Sequence, residues 1–317
     1  MPAPARLLVA LTLLVLAAPL MAPAAPAAEL KGTITVSGAF ALYPMMVRWG
    51  EEFQKLHPGV RLDVSAGGAG KGATDALAGM VDIGMISRDI HPEEEKKGGF
   101  WIPVVKDAVV PTASSANPAA KELLARGVKR EVLRALWMEG KSLSWGALVD
   151  KPALKDAVQV YTRSDSCGAA ETWAKYLGGA QEDLQGIAVY GDPGLAETVK
   201  KDRLSVGYNN LNYLYDAKTG KPVTGLMALP IDLDGNGKLD KAENFYATKN
   251  EMKKAIANGQ YPSPPARVLN LLTKGKPKGL VREFMFWILT GGQKYVDEVG
   301  YVELTSQTIA ESIRKLQ

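Results

Sequence analysis

Three times along this chain an extended apolar segment runs into small residues and then into a helical pattern. The junctions are Ser37–Pro44 (SGAFALYP), Ser65–Ala73 (SAGGAGKGA) and Arg163–Glu171 (RSDSCGAAE). A strand followed at once by a helix, repeated, predicts parallel strands with helices laid on their faces. The pattern around the junctions agrees. Residues 33–37 form a β-branched strand, and from Tyr43 apolar residues recur at Met46, Trp49, Phe53 and Leu56, spacings of three and four. His57-Pro58-Gly59 ends that helix, because proline cannot continue it. A strand (residues 60–64), a glycine-rich turn, a helix (73–80) and a strand (81–87) follow. Further on, 101–111 reads as a buried strand, 118–145 as mostly helical, 158–162 as a strand, 169–177 as a helix and 187–191 as a strand. Helices are expected over 194–202, 280–292 and 306–316.

A helix start carries unpaired backbone N–H groups and the positive end of the helix dipole, so an anion can rest there. Small residues let the backbone approach it closely. Arg88, after the third strand, and Arg163, at the third junction, add guanidinium groups suited to oxyanions. AGGAGKG is not a nucleotide-binding P-loop. Ser65 stands where that motif has its first glycine, and Gly72 stands where it has Ser or Thr.

The ends and composition bound the setting. Arg6 precedes an apolar run, Leu7–Leu20, and Ala25-Pro26-Ala27 offers a peptidase site, so residues 1–28 are expected to be a secretory signal. The run falls short of the roughly 20 residues of a spanning helix. Cys167 is the only cysteine, so no thiol at the cleavage site can take a lipid and no intrachain disulfide can form. A free periplasmic protein is expected, not embedded in the membrane and monomeric. The formal charge of +4 is far from a nucleic-acid footprint, so no nucleic-acid partner is expected.

In their order along the chain, several motifs resemble the phosphate-binding proteins of Pst-type ABC importers, which have the type II periplasmic binding fold. SGAFALYPMMVRW matches that family's first turn and helix, and GGAGKGATDALAGMVDIGMISR its second turn and following strand. RSDSCGAAETW stands where the family has R-x-x-x-S-G-T and an aromatic. VGYNN, NGQYPSPPARVL and FMFWILTGGQKYVDEVGYVEL match the hinge-side strand, the YP-x-x-R element and the last helix. The resemblance implies an α/β fold of two lobes joined by a two-crossing hinge. Lobe one would be 29–113 plus 226–317, and lobe two 114–225. It implies a non-enzymatic solute-binding protein that captures phosphate or a related small oxyanion and delivers it to the permease of an ABC importer. The implied ligand-binding residues are Ala39, Phe40, Ala41, Ala69, Gly70, Lys71, Ser87, Arg88, Arg163, Cys167, Gly168 and Ala169.

The family usually places side-chain hydroxyls on phosphate from all three turns. Here those positions hold Phe40, Ala69, Cys167 and Ala169, and Ser87 stands where some members have the aspartate that accepts phosphate's proton. Arg163, Ser87, Arg88 and the backbone N–H groups of Ala41, Gly70, Lys71, Gly168 and Ala169 remain. Another oxyanion, or a carboxylated or phosphorylated organic solute, is therefore an alternative ligand. A sensor subunit is an alternative role. A phosphate-ester hydrolase using Cys167 is a third reading, but it needs a base, and the only histidines, His57 and His91, both precede prolines.

A second motif stands apart. Asp232, Asp234, Asn236, Lys238 and Asp240 alternate, Gly237 permits a sharp turn, and Glu243 follows at the closing position of an EF-hand loop. Side-chain oxygens and the Lys238 carbonyl are expected to hold a structural Ca²⁺ that pins the return of the chain into lobe one.

Overall fold

The computed structural model describes Met1 and residues 29–317, so the expected signal and its cleavage site lie outside the described residues. The first half alternates as expected: β1 (Gly32–Gly38), α1 (Tyr43–Leu56), β2 (Val60–Ala66), α2 (Ala69–Ala78), β3 (Ile83–Ile86), α3 (Pro92–Lys96) and β4 (Gly99–Ser114). Next come α4 (Ala120–Arg126), β5 (Val128–Lys129), α5 (Arg130–Trp137), α6 (Trp145–Val149), β6 (Gln159–Arg163), α7 (Gly168–Leu177), β7 (Ile187–Val189), α8 (Gly191–Lys201), β8 (Ser205–Asn210) and α9 (Leu211–Leu214). The chain closes with β9 (Leu226–Ala228), β10 (Ile231–Asp232), α10 (Lys249–Ala257), β11 (Ala266–Lys274), α11 (Gly279–Leu289), α12 (Val296–Val299) and α13 (Ser306–Leu316).

Local chemistry explains the element ends. Pro44 lies in the first turn of α1, where a missing N–H costs nothing, and Met45, Met46, Trp49 and Phe53 form its buried stripe. Both α2 and α7 end on a glycine in the left-handed region, Gly79 (φ 75°) and Gly178 (φ 88°). The α2 helix begins at Ala69, four residues earlier than its apolar pattern indicated, so Ala69–Gly72 are its first turn rather than a loop. The expected long helix over 118–145 is instead α4, β5, α5 and the start of α6, because Gly127 (φ 69°) ends α4.

One sheet runs through the molecule in the order β2-β1-β3-β11-β4-β8-β6-β7, with β9 on β4. The β1–β2, β1–β3, β6–β7 and β6–β8 pairs are parallel, whereas β11 and β4 run antiparallel to their neighbours. Two hydrophobic cores flank it. The first gathers Trp49, Phe53, Ile102, Val104, Val105, Leu269, Leu271, Leu272, Phe284 and Ile288; the second gathers Ala108–Val110, Trp137, Trp173, Tyr208, Phe245, Tyr246 and Tyr261. Each buried aromatic of this kind contributes about 1.5–3 kcal/mol. No helix among the described residues is long and apolar enough to cross a membrane.

The cores divide the chain at other points than 113 and 226. Along β4 the change falls between Val105 and Ala108, and along β11 between Ala266 and Leu269. Residues 226–266 lie with lobe two because β9 pairs with Thr112–Ser114 and β10 with β5. These long-range pairings leave no local mark in the sequence.

Candidate functional site

The first two junctions are built against each other. Gly38 (φ 132°) ends β1, and a Cβ there would lie 2.9 Å from the Cα of Gly72, so glycine is required at this contact. The Gly38 carbonyl accepts the N–H groups of Gly67 (2.8 Å) and Gly68 (3.1 Å), and the Ala39 N–H donates to the Met85 carbonyl (2.9 Å). Ala39, Ala41 and Ala69 are buried in the lobe-one core, while Cys167, Ala169 and Ala170 are buried in that of lobe two. Under α7, Trp173 packs on Trp137 and Tyr208, with ring centroids at 5.3 and 5.8 Å. Arg130 and Arg134 donate to the last α7 carbonyls, Tyr176 and Leu177, both at 2.7 Å. The third junction thus rests on a rigid support.

The three junctions meet between the lobes. The Arg163 guanidinium lies 5.5 Å from the Phe40 ring centroid, and the Phe40 carbonyl accepts the Tyr213 hydroxyl at 3.0 Å. The Gly70 N–H donates to the Ser166 carbonyl at 3.1 Å. Gly168 sits so close to Ser87 that a Cβ on it would meet the Ser87 carbonyl oxygen at 2.2 Å. The sequence-derived residues are therefore brought together, with two changes of role. The Ala39 and Gly70 N–H groups are engaged by protein carbonyls, and the Lys71 ammonium pairs with Asp75, which also accepts the Ser37 hydroxyl at 2.7 Å.

Arg163 anchors a buried charged network. Its Nε and Nη2 donate to the two oxygens of Asp165 at 2.8 and 2.6 Å, and its Nη1 donates to Asp192. Asp192 accepts from Asn210, Asn210 accepts from Arg267, and Arg267 also pairs with Asp107 (3.4 Å) and donates to the Ser87 carbonyl (3.1 Å). This chain of contacts links lobe two to lobe one across the strands that join them. Three of the five Arg163 N–H groups are used, and the side chain is inaccessible to solvent in this form. Three carboxylates against two guanidiniums leave one formal negative charge in excess. Burial pushes the Asp107 carboxyl up to about 6, opposed by the neighbouring Arg267 charge.

Cys167 and Arg88 also have structural partners. Burial raises the Cys167 thiol to about 12, against the pull of Arg163, so at neutral pH it is a thiol. Its sulfur accepts the Ala170 N–H at 3.4 Å, which makes it the cap of α7; a nucleophile needs the opposite shift. Arg88, expected at the ligand, is committed elsewhere: it forks onto Glu94 (2.6 and 3.0 Å) and pairs with Glu171 across the lobes (3.1 Å). Arg88 and Arg267 both line an interlobe cavity of about 250 Å³ that also borders Glu171 and Lys175.

Asp107, Asp165, Asp192 and Arg267 were not among the residues expected from sequence. Arg267 had a signal, as a charged residue between apolar runs in PPARVLNLL; Asp107 and Asp192 had none beyond being acidic.

Two α/β lobes closing on helix-starting turns and a buried guanidinium define a solute-binding protein of the type II periplasmic fold. A family model described as a PBP superfamily domain matches residues 23–291, and the chain belongs to that superfamily. It is 27% identical over 283 residues to the phosphate-binding protein PstS of Bacillus subtilis, covering 88% of this chain and 83% of that one. It is 26% identical over 309 residues to the protein SphX of Synechococcus elongatus (93% and 84% covered). Among solved structures, a Clostridium perfringens substrate-binding protein with bound phosphate superposes with a TM-score of 0.70 at 18% identity, over 86% of this chain and all of that one. An ABC-type phosphate transport receptor from Vibrio cholerae gives 0.61 at 18% identity, with 86% and 100% covered.

Proposed function

We propose that this protein captures phosphate between its lobes and delivers it to the permease of an ABC importer. The observation that carries this reading is the meeting of all three turns around Arg163. The curated relatives named phosphate-binding protein PstS support the choice of anion. Backbone N–H groups of the turns and guanidinium hydrogens hold the guest, and closure raises their strength by excluding water. No chemical step is involved. Domain closure around the guest creates the surface a permease reads, and reopening there releases it. Secretion by the N-terminal segment and a periplasmic location belong to the same reading.

The excess carboxylate of the network shapes selectivity. A phosphate that keeps a proton can donate it to a carboxylate oxygen, whereas sulfate has none to give and meets only repulsion. Calorimetric titration at neutral pH is expected to show phosphate binding and no sulfate binding, with Arg163→Ala abolishing the heat. Neither heat nor a rise in melting temperature with millimolar phosphate would overturn the proposal.

A second reading has its own observation. An apolar hollow of about 570 Å³, lined by Phe40, Tyr43, Val47, Val64, Pro193 and Tyr213, adjoins the ring on which Arg163 rests. A phosphorylated or carboxylated organic solute would place its apolar part there. Phenyl phosphate binding more tightly than phosphate would favour this reading.

A further inference from the structure

Among the described residues seven carboxylates are buried: Asp75, Glu94, Asp107, Asp165, Asp192, Asp232 and Glu243. Five face a lysine or arginine: Asp75 pairs with Lys71, Glu94 with Arg88, Asp107 with Arg267, and Asp165 and Asp192 with Arg163. Asp232 and Glu243, 3% and 6% exposed, have no basic partner among the described residues. Both belong to the loop after β10. A buried carboxylate stays ionised only beside a compensating cation.

Oxygens of Asp232, Asp234 and Glu243 lie within 4.8 Å of one another. Glu243 Oε1 accepts the N–H groups of Leu233 (2.8 Å) and Asp234 (2.9 Å), while its buried Oε2 has no hydrogen-bond partner. Both Asp232 oxygens are held by the Gly235 and Gly237 N–H groups at 2.8 Å. The Asn236 amide nitrogen bridges Asp234 (2.9 Å) and Asp240 (2.7 Å), where a cation would draw the same groups together.

We propose that this loop binds one Ca²⁺ through Asp232, Asp234, Asn236, the Lys238 carbonyl, Asp240 and Glu243, and that the ion braces lobe two. Only oxygen donors are offered, with a two-oxygen carboxylate at the closing position. That set suits Ca²⁺, whereas Mg²⁺ demands a tight octahedron and keeps its water. The bracing lies in lobe two, not at a return into lobe one. Ile231 and Asp232 pair with Val128 and Lys129, the Leu239 N–H donates to the Ala125 carbonyl (3.0 Å), and Tyr246 accepts the Ile231 N–H through its hydroxyl (3.2 Å). The ion therefore ties the end of α4, β5 and the aromatic cluster of Phe245 and Tyr246 to one point.

Native mass spectrometry and thermal melts of the EDTA-stripped protein test this. One Ca²⁺ per chain is expected, with a melting temperature that climbs with calcium concentration and responds far less to equal Mg²⁺. Glu243→Gln is expected to lose the ion and the shift, yet to melt in EDTA at or above the parent, because it removes an uncompensated buried charge. Asp240→Asn, on an exposed residue, keeps the fold and weakens calcium affinity by roughly tenfold. Melts and masses unchanged by millimolar Ca²⁺, or a calcium shift surviving intact in both variants, would overturn the proposal.

Discussion

The lobes meet through charged groups at two depths. In the interior, Arg163 and Arg267 are held by Asp165, Asp192 and Asp107, all nearly inaccessible to solvent. At the rim, Glu171 on α7 receives Arg88 and His91, both at 3.1 Å, and Lys175 on α7 pairs with Asp89 at 2.5 Å. Lys175 and Asp89 keep 59% and 73% of their side-chain surface exposed, so water and salt screen them. Depth separates their consequences. Exposed pairs contribute about 0–1 kcal/mol, while removing one member of a buried pair costs about 3–5 kcal/mol because its partner is left charged and dry. The inner set is sensitive to the loss of any one charge; the rim set, screened by water, tunes how the lobes hold together.

The sharpest way to break this contrast is Arg163→Ala. Two buried carboxylates lose their cation, so denaturant unfolding should show a loss of about 3–5 kcal/mol alongside the loss of phosphate binding. A near-neutral variant would mean that water already reaches the interior set.

A smaller effect comes from Asp107. Its carboxyl is raised from 3.8 to about 6 when folded, so between those values the native state holds more protons than the unfolded one. Stability should therefore be greatest below the unfolded value, fall as pH rises through about 4–6, and level off above. The size is on the order of 3 kcal/mol. Melting curves of Asp107→Asn should lack this component; an identical slope in both proteins would assign it elsewhere.

Asp192→Asn is close in size and removes the excess negative charge, while turning its amide nitrogen toward one of the two donors, Arg163 or Asn210, that the carboxylate accepts. Anion affinity is expected to rise by about tenfold, or about 1.4 kcal/mol, and sulfate to begin to compete. Sulfate still excluded by the variant would show that selectivity does not come from the carboxylate excess.

The smallest effect belongs to the rim. A double-mutant cycle on Lys175→Ala and Asp89→Ala should give a coupling of roughly 0.2–1 kcal/mol, vanishing in high salt, with anion release quickened and its equilibrium barely moved. A coupling as large as that of the interior pairs would erase the distinction between the two depths.

Much of this molecule was written locally. Strand, small-residue turn and helix can be recognised at Gly38, Gly68 and Gly168 because backbone conformation and close approach act over a few residues. The loop from Asp232 to Glu243 is legible for the same reason, since alternate residues of one turn converge on one point. Which arginine faces the interior was not legible. Arg88 and Arg163 each follow a strand, yet Arg88 turns to Glu94, only six residues on, and Arg267 takes the inward place from the far end of the chain. The lobe that holds the acidic loop was equally hidden, because it depends on Asp232 pairing beside Lys129.

By itself, the order of residues determined the α/β alternation, the three helix starts, and the spacing of oxygens in the acidic loop. Only the tertiary structure decided which charges are buried together, how many carboxylates each guanidinium meets, and to which core residues 226–266 belong. Hydrogen bonding and backbone sterics act between neighbours in sequence, whereas desolvation and charge balance depend on everything folding brings near.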